Sequence, residues 1–325
     1  MVKFLVIRFS SIGDIVLTTP VVRALKQQVE EAEVHFLTKP AFAPLLENNP
    51  YLSKVHLLRE NFSETIEELR NEGFDYVIDL HHNIRTYRIK QKMKVVAFSV
   101  DKLNYAKWLM VNFKKDRLPR KHIVDRYMET IRLFDAINDE KGLDYFLPAE
   151  MNENDKVLVA DLPDKFIVYV AGAKHFTKKI PVSKAIEILQ QIPIPIVLIG
   201  GKEDIHEAEL IENEVKIVNL CGKLTLHGSA EIIRQSAVMI TPDTGMMHIA
   251  AAFQKPIVSL WGNTIPEFGM YPYTRQEIRV EMEIKGLSCR PCTKIGFKSC
   301  PKKHFRCMND IPAKEVAEKV ISLIK

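Results

Sequence analysis

The sequence predicts an α/β protein built from two doubly wound, Rossmann-like domains that face each other across a cleft. Three observations carry that prediction. Short, almost wholly apolar runs alternate with helix-period segments along the 325-residue chain, the pattern of parallel strands covered on both faces. The alternation occurs twice, in two halves separated by a polar, proline-bearing stretch. The length suits two domains of roughly 150 residues each.

In chain order, strands are expected at 2–9, 34–38, 55–58, 76–80 and 95–98, with helical patterns between them, as at 15–28 and 64–71. The second half repeats the theme at 166–170, 194–200, 217–220, 238–241 and 257–261. The break between the halves falls in 148–164, which holds MNENDK and two prolines. The tail 312–324 reads as a helix, because Pro312 suits a first turn and Val316, Val320 and Ile324 share a face. The expected domains are therefore 1–155 and 156–310, with a C-terminal helix at 311–325. Ligands of such sheets sit at the carboxyl ends of the strands, hence in the cleft.

Composition excludes several classes. Apolar content of 46% and charged content of 27% are those of an ordinary globular protein. Lys3 and Arg8 bracket only a short apolar run, which fits a buried strand and not a secretory signal. No stretch approaches the roughly 18 apolar residues of a membrane span. The expectation is a cytoplasmic protein whose five cysteines are thiols or metal ligands, not disulfides. The formal charge is only +5, but 13 Lys/Arg stand against 3 Asp/Glu in 81–126. Such a run is either a solvated face or the footprint of an anionic partner. No nucleic-acid-binding motif accompanies it. Within it, residues 103–113 mix Trp108, Met110 and Phe113 with Lys107, which fits either a buried helix or a bilayer contact.

Four segments can carry chemistry. In MITPDTGMMHIAAA, a strand runs through Asp243, Thr244 and Gly245 into a small-residue helix with His248 one turn inside. A helix N-terminus is a phosphate site, although Asp243 or Thr244 could simply cap the helix. After the first strand, RFSSIGD places the carboxylate of Asp14 at a helix start, where it could act as general base or only stabilise its own helix. GxGxxG is absent there, so a nicotinamide or flavin fingerprint is absent too. In AGAKHFTKKIP, small residues precede Lys174, Lys178 and Lys179, which could neutralise a diphosphate. After the next strand, Glu203 and Asp204 could accept hydrogen bonds from sugar hydroxyls.

RFSSIGDIVLTTPVVRALK, DLHHNIRT, AGAKHFTKKIP, LCGKLTL and TPDTGMMHIAAAFQKPIVSLWGNTIP, in this order, resemble the ADP-heptose:lipopolysaccharide heptosyltransferase family, which has the GT-B fold. The resemblance implies an inverting glycosyltransferase that moves a sugar, heptose from ADP-heptose by family default, onto the lipopolysaccharide inner core. The first domain would bind the acceptor and the second the nucleotide-sugar donor. The family's catalytic carboxylate falls on Asp14. Its phosphate-binding lysine falls on Lys178, with Ile180 where the Lys-x-Trp-Pro pattern has tryptophan. The donor loop falls on Asp243, Thr244 and Gly245 with His248 behind, and an acidic donor residue on Asp204 or Glu203. The basic region, with Arg85, Arg117, Arg120 and Lys121, would meet the phosphorylated lipid A–core acceptor. No metal or cofactor is required for such catalysis. The expected protein is a monomer, peripheral at the inner face of the inner membrane. The competing readings are another GT-B enzyme, such as a nucleotide-sugar 2-epimerase, and a non-enzymatic nucleotide- or glycan-binding protein.

Cys289, Cys292, Cys300 and Cys307 are spaced C-x2-C-x7-C-x6-C. A leading CxxC among four thiols resembles a structural zinc site, yet reduced thiols in a packed loop fit the asymmetric spacing as well. Cys221 follows a strand and reads as core.

Overall fold

The structure is a computed structural model and describes residues 1–324. The chain divides into two compact units. The first comprises Met1–Asn104 and Lys121–Phe146, the second Tyr105–Arg120 and Leu147–Lys325.

The first unit carries five parallel strands: β1 (Val2–Ile7), β2 (Ala32–Thr38), β3 (Lys54–Leu57), β4 (Tyr76–Asp79) and β5 (Val96–Ser99). Their order in the sheet is β3-β2-β1-β4-β5. β1 lies at the centre, so Phe4, Leu5, Val6 and Ile7 are all fully buried. That explains the apolar run from Phe4 to Ile7. The single helix expected at 15–28 is two helices, α1 (Ile12–Val16) and α2 (Thr19–Gln28). Pro20 sits in the first turn of α2, where its missing N–H costs nothing. The Thr18 hydroxyl donates to the Ile15 carbonyl at 2.6 Å, which helps close the break. Helices α3 (Phe62–Asn71) and α4 (Ile84–Met93) follow β3 and β4. After α5 (Asn104–Phe113), the chain re-enters this unit with α6 (Ile123–Met128).

The second unit begins with α7 (Glu153–Ala160), inside the stretch expected to be a linker. The Asn152 side chain accepts from the N–H groups of Asn154 and Asp155, and this cap starts the helix. Six strands follow: β6 (Ile167–Val170), β7 (Ile196–Ile199), β8 (Val218–Asn219), β9 (Val238–Pro242), β10 (Ile257–Trp261) and β11 (Arg279–Glu283), in the order β11-β10-β9-β6-β7-β8, all parallel. In the unit's own numbering that order is 3-2-1-4-5-6, the doubly wound arrangement. β11 was not expected. Its charged sequence, RVEME, suits an exposed sheet edge and gives no apolar signal. Helices α8 (Val182–Leu189), α9 (Ile205–Glu212), α10 (Leu226–Gln235) and α11 (Gly245–Ala252) separate the strands, and α12 (Arg306–Asn309) and α13 (Ala313–Leu323) complete the unit.

The structure draws the division differently from the expected 1–155, 156–310 and 311–325. The chain crosses between units at 146/147, and α13 buries Val316, Ala317 and Val320 in the core of the second unit. Residues 105–120 also belong there, because Ala106, Met110 and Val111 pack on Leu118, Ile265 and Phe268. The basic run 81–126 is consequently split, with Arg85 and Lys121 in the first unit and Arg117 and Arg120 in the second.

Candidate active site

Each sheet has a switch point where successive connections depart in opposite directions, and ligands of doubly wound sheets bind at the strand ends there. In the first unit the point lies between β1 and β4. In the second it lies between β6 and β9. The loops holding Asp14, Lys178 and Asp243 each leave one of these four strands, whereas the Asp204 loop follows β7.

At the end of β1, Asp14 occupies the first turn of α1. It is not a lone carboxylate. Its Oδ1 lies 2.5 Å from Nη2 of Arg8. Its Oδ2 accepts from the Ser11 backbone N–H at 3.2 Å and from the Ser11 hydroxyl at 2.8 Å. Burial opposes ionisation, but the Arg8 charge and the Ser11 hydrogen bonds outweigh it and hold the carboxyl down to about 2. The side chain remains 24% exposed, so the ionised group is reachable. Arg8 is fixed in turn by the carbonyls of Ser10 and Leu80 and by the Tyr127 hydroxyl. Asp14 is thus a carboxylate oriented by its own helix cap and by the Arg8 cation.

At the end of β4, Asp79 is fully buried and accepts from the N–H groups of His81 and His82. That turn sets His81 over Phe9, with ring centroids 4.8 Å apart. Burial, with Arg8 and Lys102 nearby, pushes His81 down to about 4, so its imidazole is neutral at physiological pH. Its Nδ1 is buried without a hydrogen-bond partner, which leaves a polar atom for a bound hydroxyl to engage. Phe9, Ser10, Lys39, His81, Asn83 and Arg85 border an open depression of about 350 Å³. Arg85, expected at an acceptor, lies there with its guanidinium 6.0 Å from the Phe9 ring. Arg8 and His81 were not singled out as functional residues. The histidine pair after an apolar strand was the available signal for His81. Nothing local announces that Arg8 turns back onto Asp14.

In the second unit, the three lysines after β6 separate. Lys178 Nζ lies 2.6 Å from Asp243 Oδ2, an oxygen that also accepts from the Thr264 hydroxyl at 2.9 Å. Lys179 pairs with Asp204 at 2.7 Å and Glu207 at 3.0 Å. Lys174 is exposed. Thr244 is the N-cap residue of α11, yet its hydroxyl makes no capping bond and lies 3.2 Å from that of Thr241. The Thr244 hydroxyl thus does not cap the first N–H groups of α11, and the simple cap reading of Thr244 does not hold. His248 is buried one turn further along. Asp204 is 3% exposed and accepts from the Gly201 N–H at 3.0 Å. Its place is beneath the loop, holding Lys179. Ile180, where the resembled pattern has tryptophan, is buried in the core.

The cysteine segment braces this loop. The Phe297 N–H donates to the Thr177 hydroxyl at 2.8 Å, and Arg290 donates to the carbonyls of Gly262 and Thr264. All five cysteines are free thiols. Burial pushes Cys292 up to about 11 and Cys307 up to about 12, so both are protonated. The four cysteines of the segment are neighbours, with Cys289 hydrogen-bonded to Cys292 and Cys300 near both Cys292 and Cys307, but among the described residues no three of their sulfurs lie within 4.8 Å of one another. Cys289 lies 3.8 Å from His304 Nε2, and Cys307 is buried in α12. Among the described residues, the set of three candidate ligand atoms within 4.8 Å of one another is His35, His56 and Glu72. The segment is tied down by Arg290, which also pairs with Glu283 at 2.6 Å.

The charges at the end of the basic run are largely matched. Arg120 pairs with Asp116 and lies 4.0 Å from Glu267, and Lys121 pairs with Glu129. Arg117 is exposed.

The chain is 32% identical over 116 residues to lipooligosaccharide heptosyltransferase 2 of Campylobacter jejuni, covering 36% of this chain and 34% of that protein. It is 22% identical to lipopolysaccharide heptosyltransferase 1 of Pseudomonas aeruginosa, covering 95% of this chain and 91% of that one. The fold is similar to a family 9 glycosyltransferase from Veillonella parvula, with a TM-score of 0.78 at 20% identity over 99% and 97% of the two chains. It is also similar to the ADP-heptose lipopolysaccharide heptosyltransferase II of Escherichia coli, with a TM-score of 0.73 at 19% identity over 99% and 98%. The fold is thus the GT-B fold of the solved heptosyltransferases. The model of glycosyltransferase family 9 (heptosyltransferase) matches residues 63–300, well over half the chain, and the protein belongs to that family of glycosyltransferase enzymes.

Proposed function

We propose that this enzyme transfers heptose from ADP-heptose to a hydroxyl of the lipopolysaccharide inner core with inversion at the anomeric carbon. One observation carries the reading. Lys178 lies 2.6 Å from Asp243, directly before the uncapped N-terminus of α11 at the second switch point. A lysine ammonium beside the N-terminal N–H groups of a helix suits a diphosphate. The similar Escherichia coli structure is named for ADP-heptose, which supports the choice of donor.

The chemistry is one displacement. The acceptor oxygen attacks the anomeric carbon as the bond from that carbon to the diphosphate oxygen breaks. The electron pair leaves on the diphosphate, where Lys178 and the N–H groups of Gly245 and Met246 stabilise it. The acceptor proton passes to Asp14. A carboxylate held near 2 is a weak base toward a free alcohol, but the attacking hydroxyl acidifies as its oxygen bonds to carbon, so transfer occurs late. Arg8 keeps Asp14 ionised and aimed. His81, Lys39 and Arg85 border the depression where an anionic acceptor sugar binds.

A lipid-anchored acceptor also gives α5 a role. Tyr105, Trp108 and Phe113 are 73%, 50% and 56% exposed on this one helix, and Lys114, Lys115 and Arg117 follow it. Aromatic rings beside cations are the composition of an interfacial contact with an anionic bilayer. None of the described helices is long and apolar enough to cross a membrane.

The test is calorimetric binding of ADP, GDP and UDP, followed by transfer from ADP-heptose to heptose-free core lipid. Tightest binding of ADP and a product one heptose heavier are expected. Equal affinities for the three nucleotides, or no transfer, would overturn the reading.

A further inference from the structure

His35 on β2 and His56 on β3 form a buried pair outside the transfer chemistry, each 1% exposed. His35 Nε2 lies 2.7 Å from Glu33 Oε1, and His56 Nδ1 lies 2.7 Å from Glu68 Oε1. A carboxylate only accepts, so each ring places its N–H on this outer side. A neutral imidazole has one N–H. The inner nitrogens, Nδ1 of His35 and Nε2 of His56, then carry lone pairs, and they are 2.9 Å apart. The ring planes lie within 20° and the centroids 5.1 Å apart. With so short a nitrogen separation the rings meet edge to edge, and the lone pairs point at each other. Two neutral rings in this arrangement repel unless a cation lies between them. Glu72 Oε1 is 4.0 Å from the inner nitrogen of His56, and the three donor atoms lie within 4.8 Å of one another.

We propose that His35, His56 and Glu72 bind a divalent transition-metal ion, with Glu33 and Glu68 as the outer carboxylates that fix the two rings. Two imidazoles and one carboxylate suit Zn²⁺, and a carboxylate on the far nitrogen is the usual support of a ligating histidine. Zinc–nitrogen bonds of about 2.0–2.1 Å in a tetrahedral site need the nitrogens about 3.3 Å apart, so the rings separate by a few tenths of an ångström. The surrounding cations leave room for this. Lys3 lies 3.5 Å from Glu33 and Arg59 3.0 Å from Glu68, which anchors the outer carboxylates. Lys54, now on Glu72 Oε1, is 49% exposed and can move to the other oxygen. Glu72 directly follows α3. The ion would thus join the edge strand β3 to β2 and to the end of α3.

Co²⁺ and Zn²⁺ titrations of the full chain test the proposal, by calorimetry and by visible absorption. One ion should bind with the weak visible bands of nitrogen–oxygen ligation and without the intense near-ultraviolet band of thiolate. That distinguishes this site from Cys289, Cys292, Cys300 and Cys307. Glu72→Gln and Glu68→Gln, both at partly exposed positions, should each weaken binding 10–100-fold. They should leave the metal-free circular dichroism spectrum unchanged. His56→Gln should abolish the stoichiometric ion. Affinity unchanged in Glu72→Gln and Glu68→Gln would overturn the proposal. So would nitrogen NMR in which the pair keeps a shared proton that millimolar Zn²⁺ does not displace.

Discussion

At the scale of single residues, the Arg8–Asp14 pair sets the pH behaviour. Asp14 ionises at about 2 in the folded protein, below the ordinary value of about 3.9. Its contribution to stability is therefore present at neutral pH and is lost as pH falls from about 4 through about 2. The same carboxylate must be ionised to accept a proton. Arg8→Gln removes the charge that depresses it, so the acid limb of kcat/KM should move to higher pH. An acid limb that stays in place would show that Arg8 does not tune Asp14. Asp14→Asn should lower transfer by roughly 10²–10⁴-fold with ADP affinity unchanged, since Lys178 and α11 belong to the other unit. Near-normal turnover would reduce Asp14 to its helix-capping role. Lys178→Ala removes a charge-assisted contact of about 1.5–3 kcal/mol. ADP should bind about 10–100-fold more weakly while adenosine is unaffected. Equal losses for both ligands would point away from the diphosphate. The identity of Asp14 and Lys178 was legible in the sequence. Their partners were not, because a side chain's neighbour across a turn depends on where the backbone goes.

At the scale of elements, the loop after β6 is shaped by what lies beneath it. A methyl group on Gly172 would stand 1.8 Å from Asp204 Oδ2. Gly172→Ala should displace Asp204, break its pair with Lys179 and destabilise the protein by about 1–3 kcal/mol, measured by urea unfolding. A change below about 0.5 kcal/mol would mean that Asp204 moves aside freely. Helix α5 makes the opposite case, since its exposed face and not its packed one carries the function proposed for it. Replacing Trp108 and Phe113 with alanine should reduce partition onto anionic vesicles several-fold and leave ADP binding intact. Unchanged partition would return α5 to a packing role alone. The sequence left α5 between a buried and an interfacial helix; the structure gives it one side packed on Leu118, Ile265 and Phe268 and one side exposed. Its apolar residues were visible. Which of them meet Leu118, Ile265 and Phe268 is settled only by long-range packing.

At the scale of the whole molecule, each unit has its own parallel sheet and core, and the residues proposed to bind the donor lie in the second. Two calorimetric transitions are expected. ADP at about 100 times its Kd should stabilise only the second unit, by about 2.7 kcal/mol. A single transition raised by ADP would show that the two units unfold together.

The sequence by itself determined the fold class, ten of the eleven strands and the positions of Asp14, Lys178, Asp243 and Thr244, because these depend on local periodicity and on turn residues at strand ends. Tertiary structure decided the rest. It returned 105–120 to the second unit. It made Arg279–Glu283 an edge strand, split the basic run and brought His35 against His56. In each case the deciding interaction joins residues far apart in the chain or sets a local preference against packing. A one-dimensional pattern records which residues want burial or charge, but not which neighbour satisfies them.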